Sequence, residues 1–212
     1  MIKSKERIEK FGEVFTSERE VNAMLDLVSG ETQRIDSRFL EPACGNGNFI
    51  IEVIQRKISA TQSLYFRHQP DFEKYAFIAA SSVYGIDLLE DNVKECRERI
   101  SAYLFTIYAK IFPRTQCESF MAAIDFVVRK NILLGDALTL TLPTSSKPIV
   151  FCEWNVVSGN QIKRVDYTLN NLIAYQPFDG DSLFSDLGES AFIPMPLKSF
   201  PITHFKEVQN VD

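Results

Sequence analysis

Three acidic residues each close a short apolar run. Glu41 ends Arg38-Phe-Leu-Glu41, Asp87 ends Ser82-Val-Tyr-Gly-Ile-Asp87, and Asp136 ends Asn131-Ile-Leu-Leu-Gly-Asp136. The first run leads directly into Pro42-Ala-Cys-Gly-Asn-Gly-Asn-Phe49, a Gly-x-Gly turn followed by a helix-like segment from Ile50 to Ile58. A strand, a glycine turn and a helix in that order bring backbone close to a nucleotide. Glycines at 45 and 47 permit that approach, and a carboxylate can accept both hydrogen bonds of a vicinal diol such as a ribose. The third glycine of a dinucleotide fingerprint is missing. An acid beside the turn suits a ligand that carries an amino group and no phosphate. S-adenosylmethionine is such a ligand.

The elements that must position these acids follow from periodicity. Ser17 with Glu20 forms a capping box, and Val21, Met24, Leu25 and Val28 continue it as a helix to Ser29, stopped by Gly30. A second helix spans Glu90 to Tyr108, with Val93, Cys96, Ile100 and Leu104 on one face. A short one is expected over Phe120 to Val128. Lys147-Pro-Ile-Val-Phe-Cys152 is a fourth strand, and Val165 to Tyr175 reads as helical. Ser59 to Tyr75, polar and aromatic, reads as an insertion. Strands alternating with helices predict an α/β fold with a doubly wound, mainly parallel sheet. Ligands of such sheets lie beyond the carboxyl ends of the strands, where Glu41, Asp87 and Asp136 all fall.

Composition sets the outer bounds. The chain has 212 residues, enough for one domain with its own core, and its formal net charge is −5. We divide that domain into a helical segment (1–37), an α/β core (38–176) and a loop-rich tail (177–212) containing Pro177, Pro194, Pro196 and Pro201. The acidic balance argues against strong nucleic-acid binding by this chain unaided. Cys44, Cys96, Cys117 and Cys152 form no Cys-x-x-Cys pair, and the only histidines are His68 and His204, so no zinc site is expected. The charged N-terminus lacks the apolar stretch of a signal peptide, and no run of about 18 apolar residues occurs. A cytoplasmic protein without membrane partners is expected.

In order along roughly Gly12 to Leu138, these segments resemble the class I S-adenosylmethionine-dependent methyltransferases, specifically the N6-adenine DNA methyltransferases of restriction–modification systems. Gly12-Glu-Val-Phe-Thr-Ser17 is similar to the family segment that precedes the cofactor loop, and Leu40-Glu-Pro-Ala-Cys-Gly-Asn-Gly-Asn-Phe49 to the loop itself. Tyr84-Gly-Ile-Asp-Leu88 and Asn131-Ile-Leu-Leu-Gly-Asp-Ala137 are similar to its next two motifs. The resemblance implies a Rossmann-like class I methyltransferase topology and S-adenosylmethionine as cofactor. It puts Phe15 and Thr16 over the methionine end, and Glu41, Pro42, Ala43, Cys44, Gly45, Gly47 and Phe49 in the cofactor loop. Asp87, followed by Leu88, would meet the ribose, and Asp136, followed by Ala137, the adenine amino group.

The chain departs from the family at one decisive place. The family's Asn/Asp-Pro-Pro-Tyr/Phe motif, which holds the flipped target base, occurs nowhere in the sequence. The aligned position after the fourth strand reads Glu153-Trp-Asn-Val156, so Glu153, Trp154 and Asn155 are the only catalytic candidates. The residues after Gly159 offer too little for the remaining strands, so an incomplete sheet is expected.

Each candidate also has a plainer reading. Asp87 and Asp136 suit helix N-caps, Phe15 and Trp154 suit a core, and Cys44 suits a small buried hydrophobe. Lys163 and Arg164 suit a solvated helix start. Two functions are therefore expected: a DNA adenine methyltransferase, or a catalytically incomplete cofactor-binding subunit that needs a restriction–modification partner to methylate DNA. A nicotinamide-dependent oxidoreductase is a third, weaker fit, for want of the third glycine and of hydride-transfer residues.

Overall fold

A computed structural model describes Arg7, Glu9 and residues 16–173 and 194–211. Helix α1 (Glu18–Asp26) starts at the predicted capping box, where Glu20 Oε2 accepts the Ser17 N–H at 3.0 Å and Ser17 Oγ accepts the Glu20 N–H. The short α2 (Ser29–Gln33) leads to β1 (Phe39–Glu41). Two helices, α3 (Asn48–Tyr65) and α4 (Gln69–Ser81), then cross to β2 (Val83–Asp87). Two more, α5 (Glu90–Ile111) and α6 (Glu118–Asn131), cross to β3 (Ile132–Leu134). The supposed insertion at 59–75 is thus the end of α3 and the start of α4, which carries a proline in its first turn where a missing N–H costs nothing.

The three strands form a parallel sheet in the order β1-β2-β3. Glu41 lies opposite Gly85 and Asp87 opposite Leu134, so the acidic ends align. Strand residues alternate between two cores, as their two-residue period requires. Val83 and Ile132 join the main core, built from the buried faces of α3, α4, α5 and α6. Ile86 faces the other way, into a smaller cluster with Ile149, Phe151 and Leu169, flanked by Tyr84 and Leu133. The fold is mixed α/β.

The fourth strand departs from expectation. β4 (Val150–Ser158) does not extend the parallel sheet; it pairs antiparallel with β5 (Gln161–Thr168). The hairpin turns at Gly159, which takes φ +52°, a conformation favourable to glycine. The stretch expected to be helical from Val165 begins as strand and continues as the single short α7 (Leu169–Ile173). Val165, Tyr167 and Thr168 favour a strand once a partner is present. Arg164 is buried rather than at a solvated helix start, bound through two nitrogens to Asp166 at 2.7 and 2.8 Å. The described part of the tail is also more ordered than expected. β6 (Lys198–Ser199) and β7 (Thr203–His204) both pair with β5. A 3₁₀ helix, Phe205–Asn210, buries Phe205 and Val208 in the main core. No helix among the described residues is long and apolar enough to cross a membrane.

Candidate functional site

The loops that follow β1, β2 and β3 enclose a cleft of about 650 Å³, within the range of about 300–1,000 Å³ usual for small-ligand sites. The β1 loop contributes Glu41, Pro42, Ala43, Cys44 and Gly45, and the first turn of α3 adds Asn48 and Phe49. Asp87, Leu88 and Leu89 come from the end of β2, with Asn92 from α5. Gly135, Asp136, Ala137 and Leu138 follow β3, and Thr16 and Met24 close the N-terminal side. A larger groove of about 800 Å³ runs beside α3 past Thr32, Arg56 and Tyr103. It touches none of the strand ends and brings together no convergent acids.

Of the residues expected at a cofactor, Thr16, Glu41, Pro42, Ala43, Cys44, Gly45, Phe49, Asp87, Leu88, Asp136 and Ala137 line this one cleft. Phe15 lies outside the described residues. Gly47 does not line the cleft. Its φ is +91°, and a Cβ there would stand 2.5 Å from Cys96 Sγ, so its glycine serves the turn and its packing on α5.

Asp87 ties the cleft together. Its Oδ2 accepts the Gly45 N–H at 2.8 Å, and its Oδ1 accepts the Leu89 N–H at 2.9 Å and the Asn92 side chain at 3.2 Å. A carboxylate has about four acceptor sites, so capacity remains for a ligand. Glu41 Oε1 accepts the Ala43 N–H at 3.2 Å. Asp136 Oδ1 accepts the N–H groups of Leu138 at 2.8 Å and Thr139 at 3.4 Å. The Leu138 N–H first, and then Thr139, hold the Asp136 carboxyl below the usual carboxylate range. The Cys44 thiol is pushed far up, first by its hydrogen bond with the Cys96 thiol and then by burial, so it is no nucleophile.

Helix α5 braces the turn from behind. Arg99 donates to Asn46 O at 2.7 Å and Asn48 Oδ1 at 2.9 Å, and Asn48 in turn donates to Thr16 O at 3.1 Å. Asn48 therefore links the cofactor-loop helix to the segment that closes the cleft. Neither Asn48 nor Asn92 was singled out from sequence. Asn48 heads α3 directly after Gly47, and Asn92 sits one turn into α5, where a side chain can return to the strand end.

The cleft's charge has one sign. Glu41, Asp87 and Asp136 line it, and no lysine, arginine or histidine appears among the described lining residues. A pyrophosphate would find no counter-charge there, whereas a cation would. The N-terminus of α3 also opens into the cleft through Asn48 and Phe49, and such an end favours a carboxylate.

The catalytic candidates lie elsewhere. Glu153, Trp154 and Asn155 sit on β4, and none lines the cleft. Glu153 pairs with Arg38 at 2.7 Å. Trp154 is buried against Phe77 and Phe126, and its Nε1 donates to Asn131 Oδ1 at 2.9 Å. Asn155 faces Lys163 in the hairpin register. Their expected position at the end of a fourth parallel strand does not hold, because that strand pairs into the hairpin instead.

No family model, curated protein or solved structure matches this chain.

Proposed function

We propose that this chain binds S-adenosylmethionine in the cleft beyond β1, β2 and β3, with the Rossmann-like topology of a class I methyltransferase. The observation that carries the reading is the convergence of three strand-end carboxylates on one cation-free cleft. The donor set fits this ligand group by group. Asp87 suits the ribose hydroxyls, and Asp136 an adenine amino group, both as acceptors. Glu41 and the α3 N-terminus suit the two charges of the amino-acid end, the first its ammonium and the second its carboxylate. The sulfonium adds a positive charge that the acidic lining favours.

The resemblance extends the reading to methyl transfer onto N6 of adenine in DNA. Such a transfer needs the acceptor nitrogen aligned with the methyl group and the base held out of its stack. The chain's catalytic candidates are committed to β4, away from the cleft. We therefore read the protein as the cofactor-binding subunit of a restriction–modification methyltransferase whose partner chain supplies the base-holding motif and most of the DNA contact.

Calorimetric titration with S-adenosylmethionine tests the first part. Binding on the order of −8 kcal/mol, a micromolar Kd, is expected, with none to a nicotinamide dinucleotide. An intact, folded protein that takes up no S-adenosylmethionine overturns the assignment. Transfer of labelled methyl to unmethylated DNA tests the second part: none by the chain alone, and transfer when a partner is added. Efficient methylation by the isolated chain would remove the need for a partner.

A further inference from the structure

On the far side of the helical layer, away from the cleft, side chains from α4, α5, the start of α6 and the 3₁₀ helix meet in a polar cluster. Glu73 is 1% exposed. It accepts from Gln69 Nε2 at 2.7 Å and from the Tyr108 hydroxyl, and it forms an ion pair with Lys206. Tyr108 Oη in turn accepts the Cys117 N–H at 2.9 Å, which fixes Cys117 at the N-cap of α6. Lys206 Nζ, already held by Glu73, lies 3.5 Å from Cys117 Sγ. A thiol, an amine and a carboxylate that can exchange protons with it thus converge from α6, the 3₁₀ helix and α4. None of them belongs to the proposed cofactor site.

The thiol is reactive. Burial would push it up, but the Ser119 hydroxyl, the Phe120 N–H and the Lys206 ammonium outweigh burial and bring it below the ordinary cysteine value. Such a thiol is the kind that oxidises first. The other three cysteines are buried, and the neighbours of Cys117 Sγ are Ser119 Oγ at 3.2 Å and Lys206 Nζ. The nearest group able to trap oxidised sulfur is therefore an amine.

We propose that Cys117 and Lys206 are a modification site, joined by dioxygen into a nitrogen–oxygen–sulfur bridge that fastens the 3₁₀ helix to the start of α6. The Lys206 ammonium first passes a proton to Glu73. The S–H bond and one N–H bond then break, and S–O and O–N bonds form around one oxygen atom. The second oxygen atom leaves with the two hydrogens as water. Sulfur and nitrogen together give up four electrons, and dioxygen takes up four. A thiol reductant reverses the link.

Mass spectrometry of the full chain, after exposure to air-saturated buffer and then trypsin, tests this. The expected product joins the peptide Thr115–Arg129 to Ser199–Asp212, uncleaved at Lys206, and is about 14 Da heavier than the sum of the two free peptides. It should vanish with dithiothreitol and be missing from Cys117→Ser, a variant that keeps the Lys206–Glu73 pair and hence the fold. The bridged protein should also melt at a higher temperature than its reduced form, since a cross-link restricts the unfolded chain. A linked species about 2 Da lighter, a direct S–N bond, would overturn the bridge. So would oxygen added to Cys117 without linkage, or two unmodified peptides. These readouts need no S-adenosylmethionine, so failure here leaves the cofactor reading intact, and the reverse holds.

Discussion

The Gly45 N–H points at Asp87 Oδ2 from 2.8 Å, so the turn after β1 and the acid ending β2 behave as one unit although 42 residues separate them. Two loops distant in sequence are thereby locked in register before any ligand arrives. Preorganisation of this kind lowers the ordering cost of binding.

Asp87→Asn should therefore weaken S-adenosylmethionine binding while leaving the fold in place. The amide keeps the shape but loses the charge that receives Gly45, Leu89 and the ligand. Hydrogen bonds to charged groups contribute about 1.5–3 kcal/mol, so a fall in affinity of about tenfold to 150-fold is expected by calorimetry. Unchanged affinity would remove Asp87 from the site.

Gly47→Ala should destabilise the protein by about 2–4 kcal/mol, from a strained left-handed φ and overpacking against Cys96. Cys96→Ala removes the sulfur that stands 2.5 Å from the new Cβ. In that background the cost of Gly47→Ala should fall by about 1 kcal/mol or more, measured by urea denaturation. Equal costs in both backgrounds would mean the turn tolerates a side chain.

Trp154→Phe distinguishes core from base-stacking. The variant loses the bond to Asn131 and part of the packing on Phe77 and Phe126. A stability loss of about 1–3 kcal/mol is expected, with S-adenosylmethionine affinity unaltered. A stable variant with impaired DNA methylation in the presence of a partner would return Trp154 to the catalytic side.

Stability should depend on pH in opposite senses at two buried groups. Burial pushes the Cys152 thiol up to about 12. Above the ordinary thiol value of about 8.5 the unfolded chain loses this proton while the folded chain keeps it. Cys152 therefore costs stability as pH rises, by at most about 1.4 kcal/mol per unit, until the folded thiol also ionises. Burial lowers Lys57 to about 8, so between that value and about 10.4 the unfolded chain holds the extra proton and stability rises with pH. Denaturation of wild type and Cys152→Ala from pH 8 to 11 separates them. The wild type should lose stability relative to the variant across this window; parallel curves would mean Cys152 ionises as freely as in the unfolded chain.

Much of the site was legible in the chain because its signals are local. A capping box at Ser17 and Glu20, apolar runs ending in Glu41, Asp87 and Asp136, and glycines at 45 and 47 all act within a few residues. Strand-to-loop position then implies the cleft, since parallel strands joined by helical crossovers present their carboxyl ends on one side. The same locality explains how Asn92 and Asn48 escaped notice: an asparagine in a first helical turn carries no signal of what it reaches across to.

What the sequence by itself determined is the identity and order of β1, β2 and β3 and the acids at their ends. Only the tertiary structure decided the partner of Val150–Ser158, because an apolar strand is equally suited to either kind of sheet until a partner is chosen. The Gly159 turn supplies that partner at close range, and a hairpin closes with a far smaller entropic cost than a return to β1. That choice buries Trp154 in the core, commits Glu153 to Arg38, and leaves the cleft with its three carboxylates and without the acceptor-side residues expected from those positions.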